Sequence, residues 1–364
     1  MLITELDTPS VVVDLDVMER NLSRMADYCA ARNIKLRPHT KSHKIPELAK
    51  RQIQSGAYGI TVAKIDEAEV MLDSGSPNML IAYPIVGKLK ATRMAKLAER
   101  VKLEVSLDSE EAAKAVSEAA SAQNVKIGIL VELDVGFRRC GLANEEDALA
   151  LACKVSGLPG LEFRGLMFFP GHFMVGPETR ASLIGPVNAL LDRTLEKFSQ
   201  AKVPISIISG GSTPTAYDAH LFHGVNEIRP GMYIFNDRNI AGIGVARVED
   251  CALSVVATVV STSVYGRAII DGGSKTFSSD RHPAGDGQGF GLIKEDAAAQ
   301  LESLSEEHGH INIKSSPRRY KVGERLTIVP NHVCSTVNMH DEIYGVRAGQ
   351  VEKVWRVAGR GKLR

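Results

Sequence analysis

The stretch Leu36-Arg37-Pro38-His39-Thr40-Lys41-Ser42-His43-Lys44 closes an apolar-alternating run and leads into a helix-patterned segment. Ile34 and Leu36 share one parity; Lys35, Arg37, His39 and Lys41 share the other. In a strand the two sets face opposite sides. Lys41 then stands where the strand ends, beside a His-rich turn. Cationic neighbours favour a neutral amine, and a neutral amine can form a Schiff base. Taken alone, the stretch reads as a basic loop on a solvated surface. The rest of the chain reverses that reading.

Outward from this stretch, strands and helices alternate. Val11–Leu15 reads as a short buried strand, and Asp16 is expected to cap a helix from Val17 to about Arg32. Strands are expected at Lys35–Thr40, Tyr58–Ala63, Asn78–Tyr83, Lys102–Leu107, Lys126–Leu133, Phe163–Phe169, Pro204–Ser209 and Glu227–Phe235. Helical patterns fall between them at Pro46–Ser55, Ile65–Ser74, Lys88–Arg100, Ser109–Ala122, Asn144–Val155, Pro177–Ala201 and Thr213–Phe222. This α/β rhythm predicts a closed (β/α)8 TIM-type barrel. An open doubly wound sheet fits the same pattern.

After Phe235 the rhythm changes. Ala252–Thr262, Arg267–Asp271, Arg325–Val329 and Ile343–Arg347 are Val/Ile/Thr-rich, with one helix expected near Ala297–Ser305. The Gly-rich run from Asp280 to Gly291 lacks both P-loop and dinucleotide spacing and reads as a loop. The expected organisation is residues 1–16 as a strand joining the C-terminal β domain, 17–240 as the barrel, and 241–364 as a second, mainly β domain.

A formal net charge of +1 over 364 residues gives no electrostatic footprint for nucleic acid or membrane. No apolar run is long enough to span a bilayer. Five scattered cysteines argue against a disulfide framework, and a reducing cytoplasm is the expected compartment.

Catalytic groups of such barrels sit at the C-terminal strand ends. Lys41 ends the first strand. Asp134, Arg138 and Arg139 follow the fifth, and Gly171 and His172 the sixth. Gly210-Gly211-Ser212-Thr213 follow the seventh, and Arg229-Pro230-Gly231-Met232 lie in the eighth. Singly, an Arg pair is a surface feature, Gly-Gly a turn and one His a satisfied core residue. Gly-Gly-Ser-Thr before a short helix suits an anion through backbone N–H groups and hydroxyls. A phosphate beside a Schiff-base lysine suggests pyridoxal phosphate. In the second domain, His332 and Cys334 are two residues apart on an expected strand, so both point one way. Imidazole plus thiolate suits zinc or a similar metal; a buried His and Cys in a β core is the plainer reading.

With these motifs assembled, the chain resembles the fold type III pyridoxal-phosphate enzymes, which have an alanine racemase-like N-terminal domain. Within them it resembles the branch of D-threonine aldolases and eukaryotic-type D-serine dehydratases. Arg37-Pro38-His39-Thr40-Lys41-Ser42-His43-Lys44 is similar to the branch's R-P-H-x-K-[ST]-H-K motif and implies the Schiff base on Lys41, not Lys44. Gly136-Phe137-Arg138-Arg139-Cys140-Gly141 resembles its arginine loop, which implies that Arg139 reaches the cofactor's phenolic oxygen. Gly210-Gly211-Ser212-Thr213-Pro214-Thr215 and Arg229-Pro230-Gly231-Met232-Tyr233 resemble its phosphate-binding segments. Asp271-Gly272-Gly273-Ser274-Lys275 and Pro330-Asn331-His332-Val333-Cys334 resemble its second domain and imply a divalent metal (Zn, Mn or Mg) on His332 and Cys334.

The resemblance implies a homodimeric lyase acting on a small D-3-hydroxy amino acid. Retro-aldol cleavage to glycine and an aldehyde is the leading expectation, with His172 a candidate base. The segment Leu304–Gly309 leans toward the aldolases. The alternative is a D-serine or D-3-hydroxyaspartate dehydratase, giving a 2-oxo acid and ammonia; cysteine as second ligand occurs there too. Racemisation needs no metal. A non-catalytic pyridoxal-phosphate carrier needs neither a second domain nor a metal pair.

Overall fold

The computed structural model describes residues 1–364, the side chain of Asp286 excepted. In chain order, β1 (Ser10–Asp14) leads into α1 (Leu15–Ala31), and β2 (Lys35–Leu36) precedes α2 (Pro46–Gln54). Next come β3 (Ile60–Val62), α3 (Ile65–Met71), β4 (Asn78–Ile81), α4 (Lys88–Ala98), β5 (Lys102–Leu107) and α5 (Glu110–Ala122). The rhythm continues through β6 (Ile127–Leu133), α6 (Glu145–Ser156), β7 (Leu161–Phe168), α7 (Pro177–Gln200), β8 (Ile207–Gly210) and β9 (Glu227–Ile228). Beyond it lie α8 (Arg238–Gly242), β10 (Leu253–Ser261), β11 (Arg267–Ile270), α9 (Ser274–Phe277) and β12 (Gly291–Ile293). The chain ends with β13 (Gln300–Leu304), β14 (Gly309–Asn312), β15 (Arg325–Pro330), α10 (Val333–Met339), β16 (Glu342–Arg347) and β17 (Gln350–Arg356).

Strands β2 to β9 make one parallel sheet in the order β2-β9-β8-β7-β6-β5-β4-β3. Its two ends meet: His39 bridges Thr61 in parallel sense, and the Thr61 N–H donates to the Pro38 carbonyl at 2.8 Å. The sheet therefore curls into a TIM-type barrel, and the open-sheet alternative falls. The first and eighth strands are shorter than expected, covering Lys35–Leu36 and Glu227–Ile228 rather than Lys35–Thr40 and Glu227–Phe235. Pro38 and Pro230 have no N–H to give a ladder. The backbones stay paired past them, with the His39 N–H on the Pro230 carbonyl at 3.0 Å. Thr40–Ser42 and Met232–Ile234 then turn as 3-10 helices.

Alternation divides the barrel residues between two faces. Met79, Ile81, Leu103, Val105, Ile129 and Val131 join a core with Met94, Val116, Ala152 and Phe198 of the helices. Leu80, Leu130, Met167 and Ile207, of the other parity, form a separate inner cluster. On that inner parity the barrel also carries ions. Fully buried Arg37 pairs with Glu104, and its Nε lies 3.0 Å from Oε2 of Glu227. Breaking such a buried pair from one side costs about 3–5 kcal/mol, because a lone charge remains.

The other unit is a mainly antiparallel sheet in the order β13-β14-β11-β10-β1-β16-β17, with β15 pairing β10 and β12. Strand β1 runs antiparallel to β10 and parallel to β16. Leu6, Val12, Val256 and Val346 pack together there. The helix expected at Ala297–Ser305 is instead strand β13, paired antiparallel with β14. Three alanines, Ala297–Ala299, suggest a helix by propensity, but the Asp296 carboxylate accepts the Ala298 N–H in a turn and Leu301 is buried as a strand residue. Asp14, not Asp16, caps α1: its carboxylate accepts the Val17 N–H at 3.0 Å.

The compact units run Met1–Arg24, Ser42–Ile45 and Met232–Gly361, and Met25–Lys41, Pro46–Gly231 and Lys362–Arg364. They interleave more than cuts after 16 and 240 would. Ser42–Ile45 belongs with the β unit because Lys44 Nζ donates to Asn338 Oδ1 at 2.9 Å and Gly359 N–H donates to the Lys44 carbonyl. Arg364 belongs with the barrel, its carbonyl accepting the Asp66 N–H. Among the described residues no helix is long and apolar enough to cross a membrane.

Candidate active site

The barrel turn Thr40–Ser42 is held from within. Thr40 Oγ1 donates to Glu67 Oε1 at 2.7 Å, and the other Glu67 oxygen accepts the Ala63 N–H. Every residue from His39 to Pro46 is buried except Lys41. Lys44, the other lysine of the motif, is buried on Asn338 at φ 55°. His39 Nδ1 faces the Lys41 N–H at 3.4 Å. Burial, with Lys41, Arg229 and Arg139 nearby, keeps the His39 pKa well below the usual imidazole range, so the ring is neutral.

The arginine loop follows β6. Asp134 Oδ1 accepts the N–H groups of Gly136 and Arg138 at 3.0 and 2.9 Å. Gly141, at φ 106°, lies so close to Leu133 that a Cβ there would sit 2.6 Å from its carbonyl carbon. Only glycine lets the loop return so tightly. Arg139 consequently stacks on Phe169, 4.3 Å from the ring centroid, and Lys41 Nζ stands 5.9 Å from the same centroid. Phe169 thus gathers the two. His172 sits in the 3-10 turn Gly171–Phe173. Its Nδ1 is buried with no hydrogen-bond partner among the described residues, and burial lowers its pKa against the pull of Asp134.

Arg229 donates to Ser209 Oγ at 2.5 Å and to the Phe168 carbonyl at 2.8 Å. Burial pulls its pKa down to about 10, opposed by Glu227 and Glu132. Burial also raises that of Glu132, whose Oε2 accepts from Ser106 Oγ at 2.7 Å. Past β8, Gly210 leads to Gly211 at φ 89°, a left-handed turn ahead of the 3-10 helix Thr213–Leu221. Ser212 Oγ is buried with no partner among the described residues. Thr213 Oγ1 accepts the Gly231 N–H at 3.2 Å. An unmet hydroxyl beside a glycine turn is the chemistry an anion would satisfy. Met232 and Tyr233 open the β unit's segment, in the turn that follows Gly231.

In the β unit, His332 and Cys334 are not on a strand, as their spacing suggested. The ladder stops at Pro330, and α10 begins immediately after His332. Val333, Thr336 and Val337 are its buried residues, a helical spacing, and buried Asp237 accepts the Val333 N–H at 3.1 Å. His332 and Cys334 still meet side by side. His332 Nδ1 lies 2.6 Å from Asp280 Oδ2, and Cys334 Sγ lies 3.4 Å from Ser42 Oγ. Burial opposes charge on His332, but Cys334, Asp280 and Asp237 outweigh it and hold its pKa at about 11. Burial pushes that of Asp237 up to about 6. The set therefore has surplus negative charge and the imidazole-plus-sulfur donors of a borderline divalent cation. Among the described residues no group of three His, Cys, Asp or Glu side chains forms a metal cage, which leaves a two-ligand pair.

Phe169, Glu132 and Asp280 join the site without any expectation from the sequence. Phe169 stood directly before Pro170-Gly171-His172, and Asp280 opened a run read only as a loop.

The family "Alanine racemase, N-terminal domain" matches residues 13–239, more than half of the chain. The chain belongs to this family of fold type III pyridoxal-phosphate enzymes. "Putative serine dehydratase domain" matches residues 252–346. Among this family's members, a D-threonine aldolase of Arthrobacter sp is 32% identical over 367 residues, 99% of this chain and 94% of that protein. The crystal structure of D-threonine aldolase from Filomicrobium marinum superposes with TM-score 0.94 at 32% identity, covering 100% of this chain and 99% of that one. A cysteine-to-alanine mutant of D-threo-3-hydroxyaspartate dehydratase, in its metal-free form, has TM-score 0.89 and 30% identity over 98% of each chain.

Proposed function

We propose that this chain is a lyase dependent on pyridoxal phosphate and a divalent metal, cleaving D-3-hydroxy amino acids of the D-threonine type into glycine and an aldehyde. The observation that carries the reading is the His332–Cys334 pair: its sulfur touches Ser42, and Ser42 is the residue bonded to Lys41. A racemase has no use for such a pair.

Pyridoxal phosphate, when bound, takes up the electrons of a broken bond to Cα, and a divalent metal lowers the pKa of a hydroxyl it binds. The remaining work belongs to the chain. Lys41, the exposed amine of a buried turn, would hold the cofactor's aldehyde and release it when the substrate amine arrives. Arg139, stacked on Phe169, would face the phenolic oxygen. Ser212, Thr213 and the backbone of Gly210, Gly211 and Gly231 would bind the phosphate, with Met232 and Tyr233 in the adjoining segment and Arg229 buried beneath. His332 and Cys334 would hold the metal; a thiolate favours zinc over magnesium. His172, whose pKa burial lowers, is the candidate to take the hydroxyl proton. A homodimer in a reducing cytoplasm completes the proposal, no disulfide joining the described cysteines.

Replacing Ser212 and Thr213 by Ala and Val should weaken cofactor binding by about 1.5–3 kcal/mol each, the worth of a hydrogen bond to a charged group. Titration of the apo-protein with pyridoxal phosphate measures this. Unchanged affinity in the double variant assigns the loop another role.

The second reading is a dehydratase, in keeping with the TM-score of 0.89 to D-threo-3-hydroxyaspartate dehydratase. The products decide. Incubated with D-threonine, D-3-hydroxyaspartate and D-serine, an aldolase gives glycine and an aldehyde from a 3-hydroxy substrate, without ammonia. Ammonia and a 2-oxo acid in equal yield, with no glycine, would establish the dehydratase instead.

A further inference from the structure

We infer that Asp280 is the positioning residue of the metal centre, acting through the imidazole of His332; the inference rests on the metal reading above. A histidine ligates through one ring nitrogen, and the partner of the other sets tautomer and ring angle. Here Nδ1 is taken by Asp280 Oδ2 at 2.6 Å, so Nε2 is the nitrogen left for a metal, which would displace its proton. Asp280 is itself held. Ser335 Oγ donates to the same Oδ2 at 2.6 Å, and the Asp280 carbonyl accepts from Asn331 Nδ2 at 3.0 Å. Ser335 and Asn331 flank the His332–Cys334 pair, so one short segment supplies the donors and steadies the carboxylate.

The approach to Asp280 is built for this aim. Ser278 takes φ 68°, a left-handed conformation that a serine adopts only under constraint, and its Oγ accepts the Asp280 N–H at 3.2 Å. The run that begins at Asp280 is thus more than a connecting loop. Asp280 is also not a third ligand, because its Oδ2 lies on the Nδ1 side of the ring, away from the nitrogen available to the metal.

The test is zinc affinity, measured by chelator competition on the full chain loaded with pyridoxal phosphate. Asp280→Asn should bind zinc about 10–100-fold more weakly, the usual loss when an outer carboxylate is removed from a ligating histidine. Its cofactor absorbance should stay unchanged, which shows that the zinc loss is not a loss of fold. Loaded with cobalt, it should keep the thiolate charge-transfer band of Cys334 while the visible ligand-field bands shift. Ser335→Ala, which leaves the carboxylate in place, should show a smaller loss in the same direction. Unchanged zinc affinity in Asp280→Asn would overturn the inference. So would a loss as complete as that of His332→Ala, which would make Asp280 a ligand. A wild-type chain that binds no zinc would defeat the metal reading itself, and this inference with it.

Discussion

Lys41→Ala abolishes covalent capture of pyridoxal phosphate and lowers turnover by at least about 10²–10⁴-fold, the range for loss of one positioned acid–base group. In the wild type, borohydride should fix the cofactor on Lys41, read by mass spectrometry of the digested protein. The geometry motivates the choice between two lysines three residues apart. Lys41 is exposed in a turn whose neighbours are buried, and it stands over Phe169 with Arg139. Lys44 is buried, with its ammonium on Asn338. Lys44→Ala should therefore cost stability, about 1.5–3 kcal/mol for a charge-assisted hydrogen bond, yet keep the label. Label on Lys44 with Lys41 free would reverse the assignment.

His332→Ala and Cys334→Ala each lower activity by more than about 10³-fold, while the cofactor's absorbance near the visible–ultraviolet border persists. The magnitude follows from a Lewis acid worth several kcal/mol in the transition state, at 1.36 kcal/mol per tenfold in rate. The persistence follows from the division of labour: Lys41, Arg139 and the phosphate-binding residues up to Gly231 lie in the barrel unit, and the metal pair in the β unit. Chelation should reproduce the loss, and zinc should restore it. Full activity in a metal-free preparation would leave the two side chains a purely structural pair.

Much of the candidate site's placement was legible in the chain because it is local. The motif Arg37–Lys44 carries both the lysine and the bend that exposes it, since Pro38 ends the strand wherever the barrel goes. The strand-end positions of Arg139, His172 and Ser212 follow from β/α alternation, which is written at short range. His332 and Cys334 are two residues apart, so any regular backbone keeps them neighbours, although the element proved to be a helix. The stripe of Val333, Thr336 and Val337 was the signal for it.

Tertiary structure decided what depends on distant residues. Barrel closure rests on His39 meeting Thr61, and neither strand end shows in its own pattern whether it will be met. Strand β13 formed because β14 offered a ladder, and that pairing outweighed the helical propensity of three alanines. Asp280 reaches His332 across 52 positions, and Ser42 reaches Cys334 across 292. Sequence alone determined which chemical groups this protein owns and which end of each strand they occupy, because propensity and periodicity act within a few residues. Which of those groups touch, and which are left buried and unmet, was settled only when the chain closed its loops, because a contact's partner is chosen by packing and not by spacing.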